Sequence, residues 1–162
     1  MVTKIEENSD TVSVKLAIYD MEFDITIEKN RIEEYRKVAK EVTNRLNAYT
    51  FAFRGRKTEH QIALMTMIDI AVYPFKNQSE GVDDDIKIEL SVCDETFNVC
   101  IKENDRELYE RSAIRITKRY NSYLEHYKSR PIEAIERMTL LDICLHRMEW
   151  RHINYMNYLI SF

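Results

Sequence analysis

Glycine is nearly missing: Gly55 and Gly81 are the only two in 162 residues. A chain this poor in glycine has no phosphate-cradling loop and no dinucleotide fingerprint, because both need several backbone positions without a Cβ. Proline is as scarce, with Pro74 and Pro131 alone, so long elements run without breakers. The three cysteines, Cys93, Cys100 and Cys144, are odd in number and lack C-x-x-C spacing. They read as small buried or half-buried residues in a reducing compartment. His60, His126, His146 and His152 show no H-x-x-x-H or H-E-x-x-H pattern, so spacing predicts no metal site. No serine stands in a G-x-S-x-G elbow. No apolar run is long enough to span a bilayer, and the first ten residues have no apolar signal-type core. An excess of basic charge is also lacking: 24 Lys and Arg face 28 Asp and Glu, a net charge of −4, which argues against nucleic acid. The expectation is a cytoplasmic protein that is not an enzyme, takes no cofactor and binds neither nucleic acid nor membrane.

What is present is a repeat. A shift of 74 lays Asp20–Tyr49 on Asp94–Tyr123 without a gap, and 11 of those 30 positions are identical, among them Phe23/Phe97, Asn30/Asn104, Ala39/Ala113, Thr43/Thr117, Arg45/Arg119 and Tyr49/Tyr123. Past Gly55 the shift becomes 73, and Met65-Thr66-Met67-Ile68-Asp69-Ile70 falls on Met138-Thr139-Leu140-Leu141-Asp142-Ile143. Repetition at this level marks a duplicated structural unit.

Each unit opens with alternating apolar residues on either side of a short turn, the pattern of a hairpin. With turns at Asp20-Met21 and Asp94-Glu95, the opposed pairs Ile18/Phe23, Leu16/Ile25 and Val14/Ile27 make one apolar face, as do Val92/Phe97, Leu90/Val99 and Ile88/Ile101. Asn30-x-x-Glu33 and Asn104-x-x-Glu107 fit capping boxes opening the first helices. Apolar residues then recur at gaps of three and four: Tyr35, Ala39, Val42, Leu46, Tyr49, Phe53 in one unit and Tyr109, Ala113, Ile116, Tyr120, Tyr123, Tyr127 in the other. The second helix of the first unit starts near Thr58 with Gln61 in capping position and stops near Val72. Its counterpart starts at Pro131 and runs on to the chain end, keeping apolar spacing through Met148, His152, Tyr155 and Leu159.

A lone two-stranded hairpin is marginal in water, and one unit covers its apolar face only in part. These considerations predict an α+β fold of two ββαα units, residues 12–73 and 86–162, joined by a linker at 74–85. The two form a pseudo-two-fold single-chain dimer with one four-stranded antiparallel sheet and a longer C-terminal helix. The first helices are basic: residues 31–57 hold eight Lys or Arg against three acids, and residues 105–130 hold seven against four. Arg36, Lys40, Arg45, Arg115 and Arg119 are the candidate contacts for an acidic protein segment. Asp69 and Asp142, set in apolar runs at matching positions, read as locally bonded residues fixing register rather than as a catalytic dyad.

The hairpin followed by Tyr35-Arg36-Lys37-Val38-Ala39-Lys40-Glu41-Val42-Thr43-Asn44-Arg45-Leu46-Asn47-Ala48-Tyr49 resembles the first helix of the ZapA family of bacterial cell-division proteins. Ala63–Ala71 and Met138–Leu145 resemble that family's second helix. The resemblance implies a cytoplasmic, non-enzymatic protein that associates with the tubulin-like GTPase FtsZ and bundles its filaments, dimeric through its globular part and tetrameric through a C-terminal coiled coil. Two departures stand out: the turns lack the family's glycine, and the long coil is cut to one modest helix. The alternative is a structural scaffold with another protein partner, self-associating as a homo-oligomer through Met148, His152, Tyr155 and Leu159.

Overall fold

Alternation along the strands sets the first level of structure. In β1 (Thr11–Ile18) and β2 (Met21–Glu28), Leu16, Ile18, Phe23 and Ile27 are buried, while Lys15, Ala17, Glu22 and Asp24 are exposed. β3 (Asp85–Val92) and β4 (Glu95–Lys102) repeat the pattern with Ile88, Leu90, Val92, Phe97 and Ile101. The remaining elements are α1 (Ile32–Phe53), α2 (Glu59–Val72), α3 (Arg106–His126) and α4 (Ile132–Ile160), so the order ββαα occurs twice. This computed structural model describes residues 10–75 and 84–160, with side chains described as far as Arg147.

The expected four-stranded sheet is not formed. Among the described residues β1 pairs only with β2 and β3 only with β4, giving two separate two-stranded sheets. The helices explain this. β1 packs on α1 and β3 on α3, and Phe97, Val99 and Ile101 of β4 share a cleft with Tyr49 and Phe53 of α1 and Met65 and Ile68 of α2. The apolar face of the second hairpin is therefore covered by helices from both halves of the chain. Joining the sheet edges would add little burial, and outward residues such as Lys15, Asp24, Lys87 and Glu89 keep those edges soluble.

The hairpin register also differs from the sequence expectation. Leu16 faces Phe23, Val14 faces Ile25 and Val12 faces Ile27, so the turn is Tyr19-Asp20. In the second hairpin Leu90 faces Phe97 and Ile88 faces Val99 about a Cys93-Asp94 turn. Moving the turn by one position slides the pairing by two, which leaves the same side chains on the buried face. The cause is a local clamp. Tyr19 and Cys93 adopt left-handed backbone, φ 57° and 56°, a conformation costing a non-glycine residue about 1–2 kcal/mol. The Tyr19 amide donates to Thr43 Oγ1 at 2.8 Å, and that hydroxyl donates to the Ala39 carbonyl at 2.8 Å. Cys93, Thr117 and Ala113 repeat the relay at 2.8 Å and 2.8 Å. Thr43/Thr117 and Ala39/Ala113 are among the identities of the repeat, and this is what they do.

Helix starts follow two designs. α2 has the expected capping box: Thr58 Oγ1 accepts from the Gln61 amide at 3.1 Å, and Gln61 Oε1 accepts from the Thr58 amide at 3.0 Å. α1 and α3 do not. Each is preceded by a 3-10 turn, Lys29–Arg31 or Glu103–Asp105, and the residue at the helix N-cap, Arg31 or Asp105, makes no capping bond with its own side chain. Backbone does the work instead, the Ile32 amide donating to the Lys29 carbonyl and the Arg106 amide to that of Glu103. The expected capping boxes at Asn30 and Asn104 are thus replaced by tighter turns.

α2 is buried on every side, with Leu64 and Met67 at 0 % exposure and Ile70 at 1 %. It packs against α4, α1 and α3, and α4 packs against α3 and α1. One core results, running from Leu16 and Ile18 through Val42, Leu64 and Met67 to Val92, Ile116, Leu140 and Ile143. α4 counts 29 residues against 14 for α2, about 44 Å at ~1.5 Å per residue. The self-association candidates Met148, His152, Tyr155 and Leu159 lie on its distal part, outside the residues with described side chains. Among the cysteines, Cys144 is buried and Cys93 half-buried as expected, but Cys100 is exposed, because it sits on the outward row of β4.

Candidate interaction surface

Two open grooves flank α1. Lys15, Tyr19, Arg36, Lys40 and Thr43 line the first, between β1 and α1. Lys37, Lys40, Glu41, Arg45 and Arg147 line the second, between α1 and α4. The spacing of α1 makes both: positions 36, 40 and 43 follow one side of the helix, and 37, 41 and 45 the other. Lys40 borders both grooves. Arg36 is solvent-exposed, with its nearest acid Glu33 at 3.8 Å.

Arg45 is held differently. Its guanidinium donates to Asp69 Oδ2 at 2.6 Å, lies 3.8 Å from Glu41 and covers the Tyr73 ring at 4.5 Å. Arg119 pairs with Asp142 at 3.2 Å in the second half, again linking the first helix of a unit to its second. The side chains of Asp69 and Asp142 are only 13 % and 11 % exposed, so each carboxylate is set beside a guanidinium as buried charge requires. Each aspartate is thus bonded locally, to an arginine of the first helix of its own unit. Asp69 also reaches Tyr49: burial first, then this carboxylate's charge and hydrogen bond, push the phenol's pKa upward.

Glu41 is the acid between Arg45 and Arg147, with Arg147 Nη1 donating to it at 2.8 Å and the Cys144 thiol at 3.4 Å. Burial alone would raise its pKa, but the Arg147 hydrogen bond and charge, with smaller help from Cys144 and Arg45, leave it lowered. Position 115, one repeat further on, replaces this acid with a base. Burial, then the charges of Arg119 and Arg111, pull the Arg115 pKa below its ordinary value. Burial raises the thiol pKa of Cys93 to about 11 and of Cys144 to about 12.

A second cluster joins the halves. His60, in the first turn of α2, hydrogen-bonds through Nε2 to Asp94 Oδ1 at 2.8 Å and through Nδ1 to Glu136 of α4. Burial opposes charge on the ring, but the two hydrogen bonds and the two carboxylates outweigh it and raise the imidazole pKa. Glu136, 2 % exposed, is raised by burial in spite of His60 and Arg137. Arg137 makes the matching reach in the other direction, donating to Asp20 Oδ1 at 3.1 Å and lying over the Tyr19 ring at 5.3 Å. Sequence spacing could not show this cluster, since His60, Asp94 and Glu136 stand 34 and 42 residues apart on three elements. No helix among the described residues is long and apolar enough to cross a membrane.

Neither a curated protein nor a solved structure gives a match to this chain. Residues 14–87 match the model of the family described as cell division protein ZapA. The matched stretch contains the later part of β1, then β2, α1 and α2, and the opening of β3. It therefore includes the Tyr35–Tyr49 helix, both basic grooves' α1 residues and Asp69, and over residues 14–87 this chain is ZapA-like.

Proposed function

We propose that this protein is a non-enzymatic adaptor of bacterial cell division that docks on FtsZ filaments through the basic face of α1. The observation that carries the reading is the pair of grooves sharing Lys40, edged by Arg36 on one side and by Lys37 and Arg147 on the other. Both lie on the ZapA-like stretch or border it. Arg115 and Arg119 offer a second basic surface on α3. In this reading the two ββαα units, 12–73 and 86–162, arose by duplication, and the chain stands in for a family dimer. The matching Thr–turn relays, the matching Arg–Asp pairs and the reciprocal reaches of His60 and Arg137 support that pseudo-two-fold arrangement.

Co-sedimentation with GTP-polymerised FtsZ tests the docking. Lys37→Glu with Lys40→Glu should abolish pelleting at low salt while leaving the fold intact, because both lysines line open grooves rather than the core. Raising salt should weaken the wild type, since exposed charges are screened within about 10 Å at 0.1 M. An unmutated chain that stays in the supernatant at low salt overturns the reading.

One observation favours a second reading, a scaffold that self-associates through its C-terminal helix. α4 runs 15 residues longer than α2, 29 against 14, beyond what packing on its own half uses. Light scattering decides it: a mass that rises with concentration, and falls back for Leu159→Glu with Tyr155→Glu, supports the scaffold, whereas a constant monomer mass removes it.

A further inference from the structure

We propose that His60, Asp94 and Glu95 form a divalent transition-metal site, of zinc type, that staples the first half of the chain to the second. The three offer one ligand atom each, all within 4.8 Å of one another. A zinc ion at about 2.0–2.2 Å from imidazole nitrogen and carboxylate oxygen needs its ligands closer than that limit, and small rotations of the exposed Asp94 and half-buried Glu95 side chains supply the difference. A solvent molecule completes a four-coordinate set.

Three features mark this as a built site rather than a chance meeting of acids. The first is the buried carboxylate behind the histidine. Glu136 hydrogen-bonds His60 Nδ1, which leaves Nε2 on the side of Asp94, bonded to its Oδ1 at 2.8 Å. Metal-binding histidines show this same outer carboxylate, which fixes the tautomer and strengthens the donor. The second is rigid placement. His60 is pinned in the first turn of α2 by the Thr58–Gln61 box, Gln61 Nε2 donates to Glu95 Oε2 at 3.3 Å, and the turn carrying Asp94 is clamped by Thr117 through the Cys93 amide. The third is an orphan. The Tyr120 hydroxyl is buried with no hydrogen-bond partner, and its residue, 3 % exposed, lines the same cleft as His60 and Asp94, a cavity of 310 Å³. Cys93 lines the cleft too, but the ligand atoms that converge are those of His60, Asp94 and Glu95, so the ligand set is nitrogen and oxygen alone.

The charge and proton balance closes. Metal takes the Nε2 position, one proton leaves for solvent, and a dication then faces two carboxylates and a neutral imidazole. The site differs from the basic grooves in residues and chemistry, and its test is independent of any filament.

Calorimetric titration of the full chain with zinc chloride, after treatment with a chelator, should give one site per chain, proton release that varies with buffer, and a melting temperature that climbs with zinc concentration. His60→Gln and Asp94→Asn should abolish the site, Glu136→Gln should weaken it about 10- to 100-fold, and Cys93→Ser should leave it unchanged. Cobalt should give tetrahedral ligand-field bands without a thiolate charge-transfer band. Absence of stoichiometric zinc uptake, full retention of uptake in Asp94→Asn, or a thiolate band with cobalt overturns the proposal. Should His60→Gln not fold, Glu95→Gln replaces it: this side chain is half-buried and accepts from Gln61 Nε2 at 3.3 Å, and unchanged zinc affinity in that variant overturns the proposal equally.

Discussion

At the scale of single residues, two kinds of polar group hold positions that apolar packing would leave loose. Thr43 and Thr117 each spend their hydroxyl on a turn amide and a helix carbonyl. Thr43→Val keeps the shape and strands the Tyr19 amide, so we expect a loss of about 1–2 kcal/mol, measured as a lower urea midpoint with unchanged slope. The Arg45–Asp69 pair is the other kind. Asp69→Asn leaves a guanidinium facing a neutral amide and should cost about 1–3 kcal/mol, with the larger effect at low salt. The threonine relay was invisible in the sequence although its residues stood out as identities, because alternation along a strand fixes which face a residue takes but not where the chain turns. The aspartates were legible as unusual, two acids in apolar runs, yet their partners 24 and 23 residues earlier could be found only once the helices were packed.

Glu41 carries the acid response. Its folded pKa lies below the ordinary 4.5, so the folded chain binds this proton less readily than the unfolded one. The stabilisation is complete above that ordinary value and disappears as pH falls through the lowered folded value. Thermal melts between neutral pH and pH 3 should show a gap between wild type and Glu41→Gln that narrows toward acid. A gap that stays constant would mean the Arg147 pair contributes nothing.

Elements show where propensity ruled and where packing overrode it. α2 was readable at both ends, Thr58 and Gln61 at its start and Pro74 just past its finish. Thr58→Ala should lower stability by about 1 kcal/mol through the lost cap. Leu64→Ala, at a fully buried position of the same helix, should cost about 2–5 kcal/mol; chemical denaturation resolves the two. α1 and α3 were readable as helices from their three-four spacing, but their starts were not. Asn30 and Asn104 advertise a cap that the 3-10 turns make unnecessary.

For the whole molecule, the decisive fact is that the core is shared. α2 and α4 pack on each other and on the first helix of the opposite half, so neither half closes alone. A chain of residues 1–76 should associate or fail to fold, and a compact monomer in sedimentation would contradict the shared-core account. The sequence spoke of two hairpins in one sheet because exposed edges invite pairing. The helices answered that need from the faces instead.

The sequence by itself determined the order ββαα twice over, the residues on each buried face and the basic character of α1 and α3, because periodicity and charge are local properties of a chain. Only the tertiary structure decided that the two sheets stay separate, that Tyr19 and Cys93 are the turns, and that His60, Asp94, Glu95 and Glu136 meet. Those outcomes depend on distances between segments far apart in the chain, and such distances exist only after the shared core has formed.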